Sequence, residues 1–327
     1  MSLLLRIPRT TDPMSDLTPE NKLVALTGAT GFVGSHILDR LLRSGFSVRL
    51  LARDPARLAH RDPTVDIVPG SLDDTEALRR LVADADAVIH CAGLIRGVTR
   101  TQFDAVNAAA AGACARVARE AGVERFLLVS SLAAREPQLS AYAASKRGGE
   151  DAVRAEAGGM GITVLRPPAV YGPGDREMLV LFRLMGRGLA PVFGAPDARF
   201  SLIYVEDLAE AALAWLTSGG SVADILELDD GQPGGYGWED VCDAVSSITG
   251  RRVRQLKLPG GILSLPAALN TAVGILTGYD PMLSLGKLRE LRHPDWVSRT
   301  RDSPGIPGWK PQHRLVEGLL KTPGWRD

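Results

Sequence analysis

The stretch TGATGFVG at residues 27–34 joins the apolar run KLVALT at 22–27 to a segment with helical periodicity. Gly28 permits a tight turn out of the strand, Gly31 lets the backbone approach a pyrophosphate, and Gly34 lets the helix pack closely on a sheet. The N–H groups and the positive dipole end at the start of such a helix attract phosphates. The stretch therefore predicts a dinucleotide-binding turn.

Strands and helices alternate on the carboxyl side of this turn. A helical pattern from Ile37 to Leu42 ends at Gly45, and later helices are predicted at 73–82, 102–120 and 139–157. The predicted strands, each a short apolar run, are 22–27, 47–52, 66–69, 87–92, 125–130 and 162–166. Because parallel strands need crossover connections, this alternation predicts an α/β fold, a Rossmann-type doubly wound parallel sheet.

The alternation fails after about residue 172, and this change divides the chain into domains. The NAD(P)-binding Rossmann domain is predicted at 22–171, with the strand–helix unit at 200–218 returning to it. A smaller, irregular C-terminal substrate domain takes 172–199 and 219–327. Residues 1–21, which include three prolines, are expected to form a mobile N-terminal tail.

Composition excludes several classes of protein. Apolar residues make up 45% and charged residues 23%, values that suit a folded chain with a sizeable core and not a disordered one. Lys plus Arg and Asp plus Glu each number 38, so no basic excess favours nucleic acid as a partner. Three cysteines without metal-ligand spacing predict a reducing cytoplasm and no metal site.

The longest uncharged stretch, 258–279, is 22 residues long and could reach across a bilayer. It contains several prolines and glycines and few large apolar side chains, a composition that a membrane helix does not favour. We therefore expect no membrane span, and interpret the stretch as a buried or substrate-facing helix. Its apolar character hints at a bulky apolar substrate.

A tyrosine and a lysine share one face of a predicted helix. Tyr142 and Lys146 are four residues apart, which places them one turn apart after the fifth predicted strand. A phenol has an ordinary pKa of about 10, and we expect a nearby ammonium and a positive nicotinamide ring to lower it. Tyr142 would then exchange a proton with a substrate oxygen while hydride passes to or from the cofactor. A hydroxyl at the end of strand five, Ser131 or Ser130, is placed to hold that oxygen.

The end of the second predicted strand distinguishes NAD from NADP. Arg53 stands nineteen residues after Gly34 and is followed by Asp54. An arginine there accommodates a 2′-phosphate, whereas an acidic residue holds the ribose 2′-hydroxyl. We expect NADP as the preferred cofactor, with NAD binding through Asp54 as the alternative.

These motifs together resemble an extended short-chain dehydrogenase/reductase, the NAD(P)-dependent epimerase/dehydratase family, over residues 22–327. The resemblance rests on the glycine turn, AVIHCAG at 87–93, the segment FDAVNAAAAG that contains Asn107, and YAASK at 142–146. Further matching stretches are LRPPAVYGPGD at 165–175, FSLIYVEDLAEAAL at 200–213 and GWKPQHRLVEGLLKTPGW at 308–325. VRLLARDP at 48–55 is similar to the dihydroflavonol reductase and 3β-hydroxysteroid dehydrogenase branch, which favours Arg53 as the 2′-phosphate ligand.

The resemblance implies a set of site residues. Ser131, which aligns better than Ser130, would complete a Ser-Tyr-Lys triad with Tyr142 and Lys146, and Asn107 would assist it. The expected cofactor contacts are the turn residues Gly28, Thr30, Gly31, Phe32, Val33 and Gly34, with Arg53, Leu72, Cys91, Ala92, Gly93, Ser130, Tyr142, Lys146, Pro167 and Val170. A homodimer built from the 105–118 helix and the Tyr142 helix is also implied.

Two features depart from the family pattern. Ser71-Leu72 replaces the usual Asp-Leu after strand three, which weakens the expected grip on adenine. Only 11 positions separate Ser131 from Tyr142, a shorter loop than in sugar-nucleotide epimerases. The short loop argues against a sugar-nucleotide substrate.

Three functions are compatible with the sequence. The first is an NADP-preferring oxidoreductase of the cytoplasm that interconverts a secondary alcohol and a ketone of a small-molecule substrate. The second is an NAD-dependent sugar-nucleotide epimerase or dehydratase. The third is a non-catalytic NADP-binding sensor or assembly protein on the same fold, which has no need of Tyr142 and Lys146.

Overall fold

The computed structural model describes residues 22–58, 65–97, 99–192, 194–218, 224–257, 284–299 and 305–326, with residues 267 and 270. The expected tail at 1–21 lies outside the described residues, as does the uncharged stretch 258–279 except for Ala267 and Asn270. No helix within the described ranges is both long enough and apolar enough to cross a membrane.

The structure contains a seven-stranded parallel sheet among its described residues. The strands of the chain are β1 Leu23–Thr27, β2 Ser47–Ala52, β3 Asp66–Pro69, β4 Ala87–His90, β5 Arg125–Val129, β6 Gly161–Arg166, β7 Ala169–Tyr171, β8 Leu189–Val192, β9 Arg199–Phe200, β10 Leu202–Tyr204, β11 Ile225–Glu227, β12 Arg254–Lys257 and β13 Asp295–Trp296. The order in the large sheet is β11-β6-β5-β4-β1-β2-β3. The strand order turns at β1 and β4, so the predicted doubly wound α/β fold is confirmed.

Helices connect these strands. They are α1 Phe32–Arg43, α2 Thr75–Val82, α3 Arg100–Asp104, α4 Ala110–Glu120, α5 Ala141–Ala155, α6 Met178–Gly186, α7 Val205–Thr217, α8 Trp238–Thr249, α9 Leu285–Arg292 and α10 Leu315–Lys321. A π-helical turn, Ala105–Ala109, joins α3 to α4 and divides the single helix predicted at 102–120. A short 3₁₀ helix, Leu132–Arg135, follows β5.

Apolar side chains form three clusters. One packs α1 and α7 on one face of the sheet, and a second packs α2 and α4 on the other. The third lies among α6, α8 and α10 and contains Tyr171, Phe182 and Trp325. Strands such as β1 and β4 are buried on both faces, which explains why they are continuous apolar runs.

The sequence missed the strand β11. Its three residues pair with β6 at the edge of the central sheet, although they lie in the range assigned to the substrate portion. The expected division into a Rossmann domain and a substrate portion otherwise stays a prediction.

Candidate active site

The glycine turn brings three segments of backbone very close together. Gly28 has a φ of +79°, and a Cβ there would lie 2.6 Å from the backbone N of Ala92. A Cβ on Gly34 would lie 2.1 Å from the carbonyl oxygen of Gly28. Both positions therefore require glycine, because the crowding atoms belong to the backbone and cannot rotate away.

The same turn leaves the start of α1 open for an anion. The N-cap residue is Gly31, which has no side chain to cap the helix. The first N–H groups of α1 can therefore donate to a ligand. Thr30 and Gly31 are exposed, whereas Phe32 and Val33 are half-buried. This cradle fits the pyrophosphate of a dinucleotide, as the sequence predicts.

The end of β4 lies beside the turn. Thr27 accepts a hydrogen bond from the backbone N of Ala92 at 3.3 Å, and its hydroxyl lies 3.1 Å from His90 Nδ1. Burial, with the neighbouring charge of Lys146, lowers the pKa of His90 to about 3, so His90 is neutral. Burial raises the pKa of the Cys91 thiol to about 12, so this cysteine can line a pocket but is a poor nucleophile.

Arg53 and Asp54 are both exposed at the end of β2. The Asp54 carboxylate accepts a hydrogen bond from the backbone N of Ala56 at 3.1 Å and thereby caps its own 3₁₀ turn. The guanidinium of Arg53 contributes to lowering the pKa of Asp73, after the hydrogen bond that Asp73 accepts from Ser71. Leu72 packs on the second apolar cluster.

The structure brings Ser131, Tyr142 and Lys146 together. Tyr142 and Lys146 lie in α5, and the Ser131 hydroxyl at the end of β5 is close enough to the Tyr142 phenol to lower its pKa. The ring of Tyr142 rests against Phe103, with ring centroids 6.0 Å apart. The Lys146 ammonium donates to the carbonyl of Val129 at 2.9 Å.

The expected lowering of the Tyr142 pKa does not occur in the chain without a nicotinamide ring beside the phenol. Burial raises the pKa of Tyr142 to about 12; Ser131 opposes this shift and the charge of Glu290 adds to it. Burial also lowers the pKa of Lys146 to about 8, although Cys91 and Glu150 favour its charged form. The sequence shows the ammonium as a neighbour of the phenol but does not show how deeply both groups are buried.

The side chain of Asn107 fixes the loop after β4. It accepts from the backbone N of Leu94 at 2.7 Å and donates to the carbonyl of Leu94 at 2.9 Å. It also donates to the hydroxyl of Ser145 in α5 at 2.9 Å. A Cβ on Gly93 would lie 3.6 Å from Lys146 Nζ, so this loop lies against the helix that carries Tyr142 and Lys146.

Sequence reasoning missed a buried ionic network behind Ser130. The Ser130 hydroxyl donates to Glu150 at 2.5 Å, and Arg166 donates to both carboxylate oxygens of Glu150, at 2.9 and 2.5 Å. Arg166 also lies 3.8 Å from Glu227 in β11. The sequence contained a signal for one residue of this network: Glu150 follows Lys146 by four residues and therefore lies on the same face of the helix. The Ser130 hydroxyl faces Glu150, and its predicted contact with a cofactor stays a prediction.

The remaining expected contacts lie after β6. The carbonyl of Pro167 accepts from the backbone N of Leu132 at 2.8 Å, and Pro167 itself is buried. Val170 is half-buried in β7, where it pairs with Ile203 of β10. Their contact with a cofactor stays a prediction.

The sequence profile of the NAD dependent epimerase/dehydratase family matches residues 24–226 of this chain. The chain belongs to the NAD-dependent epimerase/dehydratase family. This range contains the glycine cradle, the end of β4 and the Ser131–Tyr142–Lys146 cluster. The recognised resemblance and the assignment as an enzyme are confirmed, because relatives in this family are named reductases and epimerases.

Individual members of the family extend this likeness over most of the chain. A ceramide reductase from Caulobacter vibrioides is 41% identical over 94% of this chain and 95% of its own length. A UDP-glucose 4-epimerase from Vibrio cholerae is 25% identical over 92% of this chain and 94% of its own length. The solved structure of UDP-glucuronic acid 4-epimerase from Bacillus cereus in complex with NAD shares the fold, with a TM-score of 0.69, 18% identity and coverage of 92% of this chain and 97% of that one.

Proposed function

We propose that this family member is an NADP(H)-preferring reductase that interconverts a ketone and a secondary alcohol on a long-chain, ceramide-like lipid. The substrate class rests on one observation, the 41% identity to a ceramide reductase over nearly the whole of both chains. A ceramide contains an amide, which hydride from a nicotinamide does not reduce, and a secondary hydroxyl, whose oxidised form is a ketone. That ketone is the group on which a Ser-Tyr-Lys site would act.

The proposed chemistry follows from the residues of the cluster. A bound nicotinamide dinucleotide supplies the hydride that the carbonyl carbon accepts. Tyr142 holds a proton at its phenol oxygen, because burial raises its pKa to about 12, and it gives that proton to the carbonyl oxygen. Ser131 donates a hydrogen bond to the same oxygen and orients it. Lys146, fixed on the carbonyl of Val129, places a positive charge beside the site and has further donors for the nicotinamide ribose.

The cofactor preference is part of the proposal. Asp54 already caps the turn that follows it, which reduces its value as a ligand for a ribose hydroxyl. Arg53 is exposed beside it and can meet a 2′-phosphate. We therefore propose NADPH as the preferred cofactor, although the family is described as NAD-dependent.

A purified protein tests this proposal. NADPH consumption is measured with a ketone of a ceramide, and the controls are UDP-glucose as substrate and the variant Tyr204→Phe, whose ring packs in the third apolar cluster. We expect turnover of the lipid ketone, its loss by about three orders of magnitude in Tyr142→Phe, and unchanged dinucleotide binding. Turnover of UDP-glucose with tightly retained NAD would support the epimerase instead. Full activity of Tyr142→Phe would exclude both enzymes.

We also propose a cytoplasmic homodimer. The three cysteines of the chain are free, which suits a reducing compartment. The surface beside the π-helical turn carries small residues, including Ala105, Ala108 and Gly148, which allow a second helix to approach closely. Sedimentation velocity of the wild type and of Ala108→Arg tests the dimer, and a monomer in both would contradict it.

A further inference from the structure

The start of helix α9 packs directly on the start of the catalytic helix α5. Gly286 lies in the first turn of α9, and a Cβ there would be 2.8 Å from Cβ and 3.4 Å from Cα of Ser140. Ser140 is the N-cap of α5, two residues before Tyr142. A larger side chain at 286 would move the two helices apart, so this glycine sets their separation.

A buried carboxylate lies one helical turn further along α9. Glu290 is only 7% exposed, and its carboxylate accepts a hydrogen bond from the hydroxyl of Ser140. The same hydroxyl accepts from the backbone N of Ala143 at 2.9 Å, which is the capping bond of α5. The half-exposed ammonium of Lys287 lies 3.4 Å from the carboxylate. Burying a carboxylate is costly, so a carboxylate at this buried place points to a role beyond packing.

Of the titratable groups on the neighbouring elements, Glu290 of α9 acts on the phenol of Tyr142, and Lys287 lies beside Glu290. Lys146, on the same helix as Tyr142, interacts with Cys91 at the end of β4. After burial, the two groups that shift the pKa of Tyr142 are Ser131, which lowers it, and Glu290, which raises it. A negative charge near a phenol opposes the loss of its proton.

We propose that Glu290 is a positioning residue for the reductase reaction: through Ser140 it fixes the first turn of α5, which carries Tyr142, and its negative charge disfavours the phenolate that the reverse oxidation needs. The inference rests on the proposed function. In the reduction, the carbonyl carbon accepts hydride and the carbonyl π pair moves to oxygen. That oxygen takes the Tyr142 proton, which leaves a phenolate that solvent reprotonates. The products are a secondary alcohol and NADP⁺, and the reductant is NADPH.

NMR of isotope-labelled tyrosine tests the electrostatic part without any substrate. The signal of Tyr142 is assigned by its loss in Tyr142→Phe, and its ionisation is followed with pH in the wild type, Glu290→Gln and Ser140→Ala. Because the amide can still accept from Ser140, Glu290→Gln keeps the contact and removes the charge. We expect the titration to move about one unit to lower pH in Glu290→Gln. Ser140→Ala keeps the charge, so its titration should not move downward.

A variant at the surface should shift the Tyr142 titration in the opposite direction. It keeps the inference testable if Glu290→Gln does not fold. Lys287→Gln removes the ammonium beside the carboxylate, so the Tyr142 titration should move upward. An unmoved titration in Glu290→Gln, or a downward shift in Lys287→Gln, would overturn the inference.

Turnover then separates this inference from the proposed function. Oxidation of the alcohol requires the phenolate, so Glu290→Gln should accelerate oxidation about tenfold at a fixed pH below the tyrosine pKa. Reduction near neutral pH should change less than about twofold. Absence of any turnover with the lipid ketone would refute the proposed function, while the NMR titration would still decide the role of Glu290.

Discussion

Two adjacent glycines in α5 should respond to alanine with opposite signs. A Cβ on Gly149 would lie 2.1 Å from the carbonyl oxygen of Asn107, whereas a Cβ on Gly148 would lie 3.4 Å from Cβ of Ala108, an ordinary contact. Both substitutions gain about 1 kcal/mol of helix propensity, because glycine is the poorer helix former. At Gly149 that gain competes with overpacking against a backbone atom that cannot rotate away.

The overlap sets the size of the effect. To relieve it, α5 must move by about 1 Å from the π-helical turn, and overpacking of this kind costs roughly 3 kcal/mol at the upper end of its range. Gly149→Ala should therefore lose about 2 kcal/mol of unfolding free energy, and Gly148→Ala should gain up to about 1 kcal/mol. A 1 Å displacement of the helix would also reduce kcat about hundredfold, since it carries Tyr142 and Lys146.

Guanidinium chloride unfolding of the two variants, followed by both circular dichroism and tryptophan fluorescence, measures the difference. The two probes should give coincident transitions with unchanged slopes, so that the shift in midpoint reports stability. Equal stability of Gly149→Ala and Gly148→Ala would show that α5 does not contact the carbonyl of Asn107. The reasoning would also fail if Gly149→Ala kept full activity.

Three further changes have defined outcomes. Arg53→Ala should weaken NADPH binding about tenfold and leave NADH binding unchanged, as measured by fluorescence titration; equal losses for both would contradict the 2′-phosphate role. Glu150→Gln should lose about 3–5 kcal/mol in chemical unfolding, because it leaves the buried guanidinium of Arg166 without its main partner, and a loss below about 1 kcal/mol would count against the network. His90 stays neutral in the fold with its pKa lowered to about 3, whereas the unfolded chain binds its proton below its ordinary pKa of 6.5. Stability should therefore fall with decreasing pH below 6.5 by up to about 1.4 kcal/mol per unit, and His90→Asn should remove that part of the slope.

Periodicity and turn chemistry were sufficient to predict most of the sheet. The bounds predicted for β2 and β3 match the structure, because short apolar runs closed by glycine or polar residues leave little choice of period. β11 was missed because three residues are too few to show a period. The π-helical turn was missed because its alanines fit either helical register, and the extra residue is decided by packing on α5.

In the candidate site, too, local relations could be predicted and contacts between distant segments could not. Spacing alone placed Tyr142 beside Lys146, since four residues on a helix fix that relation locally. Glu290 and Arg166 come from distant segments, and their proximity to the site depends on how α9 and β6 pack on α5. The pKa of Tyr142 is raised where a lowered pKa was expected, because burial depends on the tertiary structure.

Close backbone contacts at glycines explain how the site keeps its geometry. Gly28 packs against Ala92 and brings the cradle to the end of β4. Gly149 packs against Asn107 and brings α5 to the π-helical turn. Gly286 packs against Ser140 and brings α9 to the start of α5. Backbone and Cβ atoms do not move when a side chain changes rotamer, so each contact fixes the distance between the two segments that it joins. Substrate-binding residues can therefore vary while the phenol stays in register with the cradle. The relatives in this family include a ceramide reductase and a UDP-glucose 4-epimerase, so one fold serves different substrates.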